Sequence, residues 1–151
     1  MIRRLHSGEV DALVDVWLAS TIPGQSFLPE AHWRAMEGKV RDQLLPIAET
    51  WVVEKWDMEM VAFMSIIDDL IGGLFTHPDH QGEGHGRALV EHARLLHDLL
   101  FVEVFEANER AIAFYRSCGF VDHEGRVDEE SGLPMLILRI EKSGWDGSDR
   151  R

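Results

Sequence analysis

Three glycines alternate with other residues in the segment Gln81-Gly82-Glu83-Gly84-His85-Gly86-Arg87, and this segment could bind a phosphate group. It stands between a run of strand-forming residues and a run with helical periodicity. The first N–H groups of a helix have no partner within the helix and carry the positive end of its dipole. Glycines expose such groups without a Cβ in the way. A plain structural turn is the alternative interpretation.

The spacing of this turn can be compared with two known phosphate-binding patterns. The P-loop requires Gly-Lys-Ser/Thr, whereas Gly86 is followed by Arg87 and Ala88. The dinucleotide-binding pattern requires a third glycine at position 87, which is arginine. Neither pattern matches. An enzyme acting on a nucleotide or another phosphate ligand is therefore a disfavoured hypothesis.

The elements that must position this turn are predicted from periodicity and from glycine, proline and capping residues. Strand-forming runs predict strands over residues 1–5, 50–56, 59–67, 70–76, 99–105, 120–127 and 135–140. Apolar stripes predict a helix over 10–18, a second from Pro29 to residue 47, a third over 84–98, and a fourth capped by Asn108 and ending near Gly119. Pro23 and Gly24 predict a loop over 21–28. The adjacent Gly72 and Gly73 predict a bulge or a close backbone approach.

The predicted order of elements is β-α-α-β-β-β-α-β-α-β-β, which places the chain in the α/β (α+β) class. A helix between the strands at 70–76 and 99–105 predicts that these strands are parallel, within a mixed sheet of about seven strands flanked by about four helices. We expect one domain over residues 1–142 and a flexible tail over 143–151.

Composition indicates which classes of partner and which compartment to expect. The chain has 151 residues, 45% of them hydrophobic, and a formal net charge of −12. This charge disfavours nucleic acid, which requires a basic face, and mildly favours cationic acceptors. No stretch resembles a membrane span, so no membrane partner is expected. The single cysteine, Cys118, cannot form an intrachain disulfide, and a reducing, cytoplasmic compartment is the simple interpretation.

Histidines and the cysteine offer two further kinds of site. His77, His80, His85, His92 and His97 include no His-x-x-x-His pair and have no partnering cysteines, so no metal site is predicted. Solvated or capping histidines are the simpler interpretation, although His80 and His85 flank the glycine turn. Cys118 has no evident base nearby in the sequence, so we expect a packing role rather than a nucleophile.

Two motifs resemble those of the GNAT (GCN5-related N-acetyltransferase) superfamily. Gln81-x-x-Gly84-x-Gly86 is similar to the family pattern Q/R-x-x-G-x-G/A, and Leu74-Phe75-Thr76-His77-Pro78 is similar to its strand-then-proline lead-in. The segment from Asn108 to Phe120 resembles the second signature, N-x-x-A-x-x-F/L-Y-x-x-x-G-F. Within the superfamily, the segments 27–29 and 126–134 look like the small bacterial YjaB-type group.

The resemblance implies an N-acetyltransferase that moves an acetyl group from acetyl-CoA to a primary amine by direct attack in a ternary complex, without a metal. It implies that the amides from Gly82 to Arg87 hold the coenzyme A pyrophosphate and that Gln81 shapes the turn. The Leu74 amide would bind the acetyl carbonyl oxygen, on which negative charge develops. The residues it implies for coenzyme binding are Leu74, Phe75, Thr76, Gln81, Gly82, Glu83, Gly84, His85, Gly86, Arg87, Asn108, Ala111, Phe114 and Tyr115.

Tyr115 matches the tyrosine that many family members place near the coenzyme sulfur as a general acid. The alternative is an aromatic that packs its helix on the sheet, although the adjacent Phe114 is the better core candidate. Asn108 could cap its helix, contact the coenzyme, or do both. A bulge at Gly72-Gly73 would free backbone groups of this strand for the pantetheine arm.

The amine must lose a proton before attack, since alkylamines titrate near pH 10, and a carboxylate could accept it directly or through water. Glu103, which interrupts an apolar strand, is the leading candidate; a surface glutamate paired with an arginine is the alternative. Glu106, Asp68 and Asp69 are weaker candidates. The expected acceptor walls are Trp17, Phe27, Leu28, Trp33, Arg126, Asp128 and Glu129.

The acceptor is expected to be a small-molecule or peptide amine, and the oligomeric state stays open between monomer and homodimer. A non-catalytic acyl-CoA-binding or sensing module is the alternative function, because it would use the same turn without groups that transfer protons.

Overall fold

The computed structural model describes residues 1–142. Its strands are β1 (Ile2–Arg4), β2 (Glu49–Glu54), β3 (Met60–Ile67), β4 (Leu70–Thr76), β5 (Leu99–Phe105), β6 (Val121–Val127) and β7 (Pro134–Glu141). Its α-helices are α1 (Val10–Gly24), α2 (Glu30–Ala35), α3 (Glu37–Lys39), α4 (His85–Leu96) and α5 (Glu109–Ser117). Single turns of 3-10 helix cover Ser7–Glu9 and Pro78–His80, and a π-helical turn covers Val40–Leu44. The predicted flexible tail over 143–151 lies outside the described residues.

Hydrogen bonds join the seven strands in the order β1-β2-β3-β4-β5-β7-β6. Strand β2 is antiparallel to β1 and β3, and β7 is antiparallel to β5 and β6. Strands β4 and β5 are parallel, with Leu70 opposite Phe101 and Ile71 opposite Val102. The predicted parallel pair, the element order and the mixed sheet are confirmed. Counting α2, α3 and the π-helical turn as one interrupted segment gives the four helical regions expected.

The chain divides into two compact units, each with its own buried residues. The first comprises residues 1–68 and 72–89, where α1 packs on β3 and the buried residues include Leu13, Val14, Val61 and Met64. The second comprises residues 69–71 and the chain from residue 90 on. In β5, Leu100, Val102 and Val104 are buried and alternate with partly exposed residues, as a strand with one covered face requires. The coenzyme-binding turn expected from the sequence belongs to the first unit.

The loop predicted over residues 21–28 is wrong in its first half, because α1 continues through Pro23 to Gly24. A proline in a helix lacks the N–H that would bond four residues back. Here only the last turn is affected, and the Gln25 N–H closes it by donating to the Thr21 carbonyl at 2.8 Å. Thr21 itself is buried, so this final turn is held by packing.

The continuous second helix predicted from Pro29 to residue 47 is also wrong. Pro29 precedes α2 instead of occupying its first turn, and a break at Met36 separates α2 from α3. The segment then widens into a π turn, in which the Leu45 N–H donates to the Val40 carbonyl at 3.0 Å. Leu45 keeps helical dihedral angles before Pro46, and the segment ends in turns in which the Ile47 N–H donates to the Leu44 carbonyl at 3.2 Å and the Ala48 N–H donates to the Leu45 carbonyl at 3.4 Å.

Within residues 1–142, no helix combines the length and the apolar character that crossing a bilayer requires.

Candidate active site

The glycine turn connects β4 to α4 in a conformation that two of its glycines make possible. Gly82 has φ +82° and Gly84 has φ +90°, values that residues with a Cβ rarely adopt. The Gly84 carbonyl accepts the Ala88 N–H at 3.1 Å, so helical bonding begins at Gly84. The N–H groups at the start of α4 therefore have no partner within the helix. The turn has the form that an anion-binding helix N-terminus needs.

Space beside the turn is open where a phosphate would have to approach. A Cβ atom built on Gly82 or Gly84 would have no heavy atom within 4 Å, and both residues are exposed. The Gln81 side chain lies across the turn and donates to the Thr76 carbonyl at 3.2 Å. The His77 N–H donates to the Val61 carbonyl at 2.8 Å, which fixes the end of β4 against β3. The turn is thus anchored at its base and open at its tip, which fits a diphosphate.

Three basic side chains lie close to the Glu83 carboxylate in the turn. Its Oε1 atom lies 2.9 Å from His85 Nε2, 3.3 Å from His80 Nδ1 and 3.6 Å from Lys55 Nζ. The hydrogen bond from His85, with further contributions from His80 and Lys55, lowers the pKa of the Glu83 carboxyl. Sequence reasoning noted that His80 and His85 flank the turn but missed Lys55, because nothing in the local sequence connects residue 55 with residue 83.

Strand β4 leads into the turn with partly exposed Leu74, Phe75 and Thr76. A Cβ on Gly73 would lie 2.6 Å from Cε2 of Phe75, so a glycine is needed for Phe75 to keep this position. The Phe75 ring also lies 5.4 Å from the Phe63 ring, centroid to centroid. The close contact at Gly73 is with the Phe75 ring, and a close backbone approach at the glycine pair stays a prediction. The bulge stays a prediction; the parallel ladder with β5 pairs Leu70 and Ile71, directly before Gly72.

Tyr115 lies in α5 with only 5% of its surface exposed. Its ring makes edge contacts with Phe114 at 5.2 Å and Phe120 at 5.4 Å, centroid to centroid. Burial raises the pKa of the phenol far above its ordinary value, with a smaller contribution from Cys118. The expectation that Phe114 would be the better core residue is wrong, because Phe114 is partly exposed and Tyr115 is buried. Tyr115 therefore packs its helix whatever its hydroxyl does.

Asn108 caps α5, since its side-chain oxygen accepts the Ala111 N–H at 3.2 Å. The capping role predicted for Asn108 is confirmed, and its contact with the coenzyme stays a prediction. At the other end of α5, Gly119 has φ +106°, as expected of a residue that ends a helix. Cys118 is buried, in agreement with its expected packing role.

Glu103 lies on the partly exposed face of β5 and forms an ion pair with Arg126 on β6, at 2.5 Å between Oε2 and Nε. This is the arrangement foreseen in the alternative interpretation of Glu103. Of the other candidates, Glu106 and Asp68 are exposed and Asp69 is partly exposed.

The two tryptophans expected in the acceptor wall are core residues. Trp17 is 5% exposed and Trp33 is 4% exposed, and the Trp33 indole N–H donates to the Gln25 carbonyl at 3.1 Å. Phe27 and Leu28, in the connection that follows α1, are partly exposed. On β6, Arg126 is exposed apart from its contact with Glu103. Of these expected acceptor-wall residues, Phe27, Leu28 and Arg126 have exposed surface that a substrate could contact.

Among residues 1–142, no three His, Cys, Asp or Glu side chains form a group that could hold a metal ion.

Comparison with known proteins identifies the family. A family model described as an acetyltransferase (GNAT) domain matches residues 46–122, which include both the glycine turn and α5. The peptidyl-lysine N-acetyltransferase YiaC of Escherichia coli K12 is 33% identical over 139 residues, covering 91% of this chain and 94% of YiaC. The chain belongs to the GNAT family.

Other relatives agree on the group within this family. The peptidyl-lysine N-acetyltransferase YjaB of Escherichia coli K12 is 36% identical to this GNAT protein over 140 residues, covering 92% of this chain and 94% of YjaB. The solution structure of apo YjaB has a TM-score of 0.82 to it, at 35% identity, and covers 92% of this chain and 95% of YjaB. The protein is therefore a YjaB-type N-acetyltransferase. Its membership among enzymes disfavours the hypothesis of a non-catalytic sensing module.

Proposed function

We propose that this GNAT protein transfers an acetyl group from acetyl-CoA to the ε-amino group of a lysine side chain in a protein or peptide, by direct attack in a ternary complex. The observation that carries the proposal is the glycine turn, open beside Gly82 and Gly84 and leading directly into α4. The choice of a lysine acceptor is supported by the names of its relatives YiaC and YjaB.

The amides from Gly82 to Arg87 would hold the diphosphate of the coenzyme. The N-terminus of α4 carries partial positive charge, and its unpaired N–H groups are donors that a phosphate oxygen can accept. A local site of this kind is needed because the protein as a whole carries a net charge of −12. Phe75 and Thr76 would contact the coenzyme along the end of β4.

Acetyl-CoA supplies the thioester carbonyl that the amine attacks. The Leu74 N–H would donate to the carbonyl oxygen, where negative charge develops, and a fixed donor of this kind contributes about 3 kcal/mol in related acyl transfers. The Tyr115 hydroxyl would donate to the departing sulfur. Since burial raises the pKa of Tyr115, the phenol keeps its proton throughout the working pH range and stabilises the sulfur chiefly as a hydrogen-bond donor.

Glu103 would accept the proton of the arriving ammonium group, directly or through a water molecule. Lysine side chains ordinarily titrate near pH 10.4, so nearly all acceptors arrive protonated at neutral pH. Arg126 would fix the orientation of the Glu103 carboxylate. Phe27 and Leu28 would contact the acceptor chain, and Arg126 could also bind an acidic residue beside the target lysine. The sequence has a single cysteine, which cannot form an intrachain disulfide, and this supports a reducing, cytoplasmic compartment for the reaction.

The test is release of coenzyme A thiol from acetyl-CoA in the presence of blocked peptides that contain one lysine. We expect turnover with these peptides, and mass spectrometry should place the acetyl group on the lysine side chain. The matched control is the same peptide with arginine in place of lysine, which should give no turnover. If peptides give no turnover while small free amines do, the lysine-acceptor proposal is wrong.

A further inference from the structure

Five charged or ionisable side chains meet at the glycine turn, and the family motif does not account for them. We name Lys55, Glu59, His80, Glu83 and His85 the Glu83 cluster. The Oε1 atom of Glu83 lies 2.9 Å from His85 Nε2, 3.3 Å from His80 Nδ1 and 3.6 Å from Lys55 Nζ. On the other side of the His80 ring, Nε2 lies 3.7 Å from Glu59 Oε1. One carboxylate oxygen therefore concentrates three cationic or potentially cationic groups at this point.

Burial indicates that the two histidines are held in place. The side chains of His80 and His85 are only 17% and 18% exposed, whereas that of Glu83 is 41% exposed. The cluster also joins two separate segments, because Lys55 and Glu59 flank the turn between β2 and β3. Lys55 is 34% exposed and Glu59 is 56% exposed, so the two histidines are the covered members of the cluster.

The remaining charged groups near the turn are His77, Asp79 and Arg87. His77 Nδ1 accepts the Asp79 N–H at 3.1 Å and lies 3.8 Å from Asp79 Oδ2. Arg87, in the first turn of α4, has interactions of its own. The groups that lower the pKa of the Glu83 carboxyl are His85, His80 and Lys55, and the two carboxylates in the cluster leave little net positive charge for a ligand.

The expected ligand of this turn is a diphosphate, which competes with a carboxylate for the same kind of donor. A phosphate oxygen accepts hydrogen bonds from imidazolium and ammonium groups as a carboxylate oxygen does, and it carries more charge. A diphosphate at the amides of 82–87 would also be repelled by the Glu83 carboxylate in the same turn. Both effects favour a rearrangement in which the donors leave Glu83 for the ligand.

We propose that Glu83 is an internal anion that holds His80, His85 and Lys55 in position in the free protein, and that these three side chains pass to the coenzyme diphosphate when it binds. This inference rests on the proposed coenzyme site and deepens it. Glu83 then weakens coenzyme binding by competition, while the histidines strengthen it when protonated.

The test is calorimetric titration of coenzyme A into the wild-type protein and into Glu83→Gln at pH 7 and constant ionic strength. At pH 7, Glu83→Gln should bind coenzyme A about three- to tenfold more tightly, because one negative charge beside the diphosphate is gone. The gain should be the same with dephospho-CoA, which keeps the diphosphate and lacks the 3′-phosphate.

Two further variants separate this role from a purely structural one. His85→Gln should bind coenzyme A about three- to tenfold more weakly than wild type, because a donor to the diphosphate is lost. The matched control is Glu91→Gln, which removes the same charge from an exposed position about 9 Å further along α4, so its effect should be under twofold. In the wild type, NMR signals of the His80 and His85 rings should shift when coenzyme A is added.

A Glu83→Gln protein that binds coenzyme A no more tightly than wild type overturns the inference, as does a gain that disappears with dephospho-CoA. Weaker binding by Glu83→Gln, with reduced thermal stability, would mean that the cluster only joins the two segments. If the wild-type protein does not bind coenzyme A at all, the proposed function fails instead, and the two failures are distinguishable.

Discussion

The glycine turn and the region around Tyr115 and Glu103 differ in which part of the chain is expected to do the chemistry. In the turn, the expected chemistry belongs to the backbone, and Gly82 and Gly84 adopt the positive φ angles that it requires. Around Tyr115 and Glu103, the expected chemistry belongs to side chains. There the structure gives each residue a packing or pairing role as well, through Phe120 and Arg126.

The difference shows what a local motif can establish. Positive φ angles and a helix N-terminus follow from residues that are close in the sequence, so the motif and the geometry coincide. The basicity of a carboxylate or the accessibility of a phenol depends on neighbours from other elements. We therefore expect substitutions in the turn to abolish function through binding, and substitutions at Tyr115 and Glu103 to have graded effects on the rate of acetyl transfer.

The largest effect is expected for Gly84→Asp. It places a β-carbon on a residue with φ +90° and a carboxylate where the diphosphate would bind, so coenzyme A affinity should fall at least about 100-fold. The matched control is Gly132→Asp, at φ +75° in the connection between β6 and β7, which carries similar backbone strain. Calorimetry should show nearly unchanged coenzyme affinity for the control. Equal losses in the two variants would contradict a role for the turn in binding.

Tyr115→Phe should lower kcat about 100-fold and leave the affinity for coenzyme A within about twofold. The substitution keeps the ring and its packing on Phe120, so thermal stability should change little. Because burial raises the pKa of the phenol, the wild-type rate should show no decline up to pH 10 that depends on this residue. Steady-state kinetics from pH 6 to 10 checks both points. An unchanged kcat in Tyr115→Phe would restrict Tyr115 to packing.

Glu103→Gln should lower kcat about tenfold, if the carboxylate accepts the proton of the ammonium group. The effect is smaller than for Tyr115→Phe because water can replace a carboxylate that acts through water. The matched control is Glu106→Gln, which removes the same charge just after β5. Its kcat should be within twofold of wild type. The reverse ranking of the two variants would assign the base to Glu106.

The smallest effect is expected for Glu9→Gln, which should change stability and leave the glycine turn and the region around Tyr115 and Glu103 unaffected. Arg3 Nη2 lies 2.7 Å from Glu9 Oε2, and this contact lowers the pKa of Glu9 to about 2. Since the folded-state value lies below the ordinary 4.5, the stabilisation is present above about pH 4.5 and is lost as the pH falls toward 2. Glu9→Gln should cost about 1 kcal/mol at pH 7 and less at pH 3, as measured by urea unfolding.

Much of the fold could be predicted because its strands are marked by local patterns. The bounds of β4 and β5 match their predictions, since each is a continuous strand-forming run that ends at a proline or at polar residues. The helices between β1 and β2 were harder to predict. The apolar stripe after Pro29 continues through Met36 and the π turn, and nothing in that stripe marks a break. Pro23 indicated a helix end one turn too early, because packing around Thr21 outweighs one missing hydrogen bond.

The candidate site was predicted where its residues are neighbours in the sequence and missed where they are not. The turn and the Asn108 cap each depend on contacts within five residues. The ion pair of Glu103 with Arg126 and the contact of Glu83 with Lys55 join residues more than twenty positions apart. The burial of Tyr115 instead of Phe114 depends on how α5 is rotated, which two adjacent aromatic residues leave undetermined.

The most direct test of the central claim is an NMR titration of the backbone amides with coenzyme A. The amides of the glycine turn from Gly82 to Arg87 should show the largest shifts in the spectrum, and Gly84→Asp should abolish them at the same ligand concentration. If coenzyme A binds while the amides of 82–87 stay unshifted, the diphosphate lies elsewhere, and the account of this site is wrong.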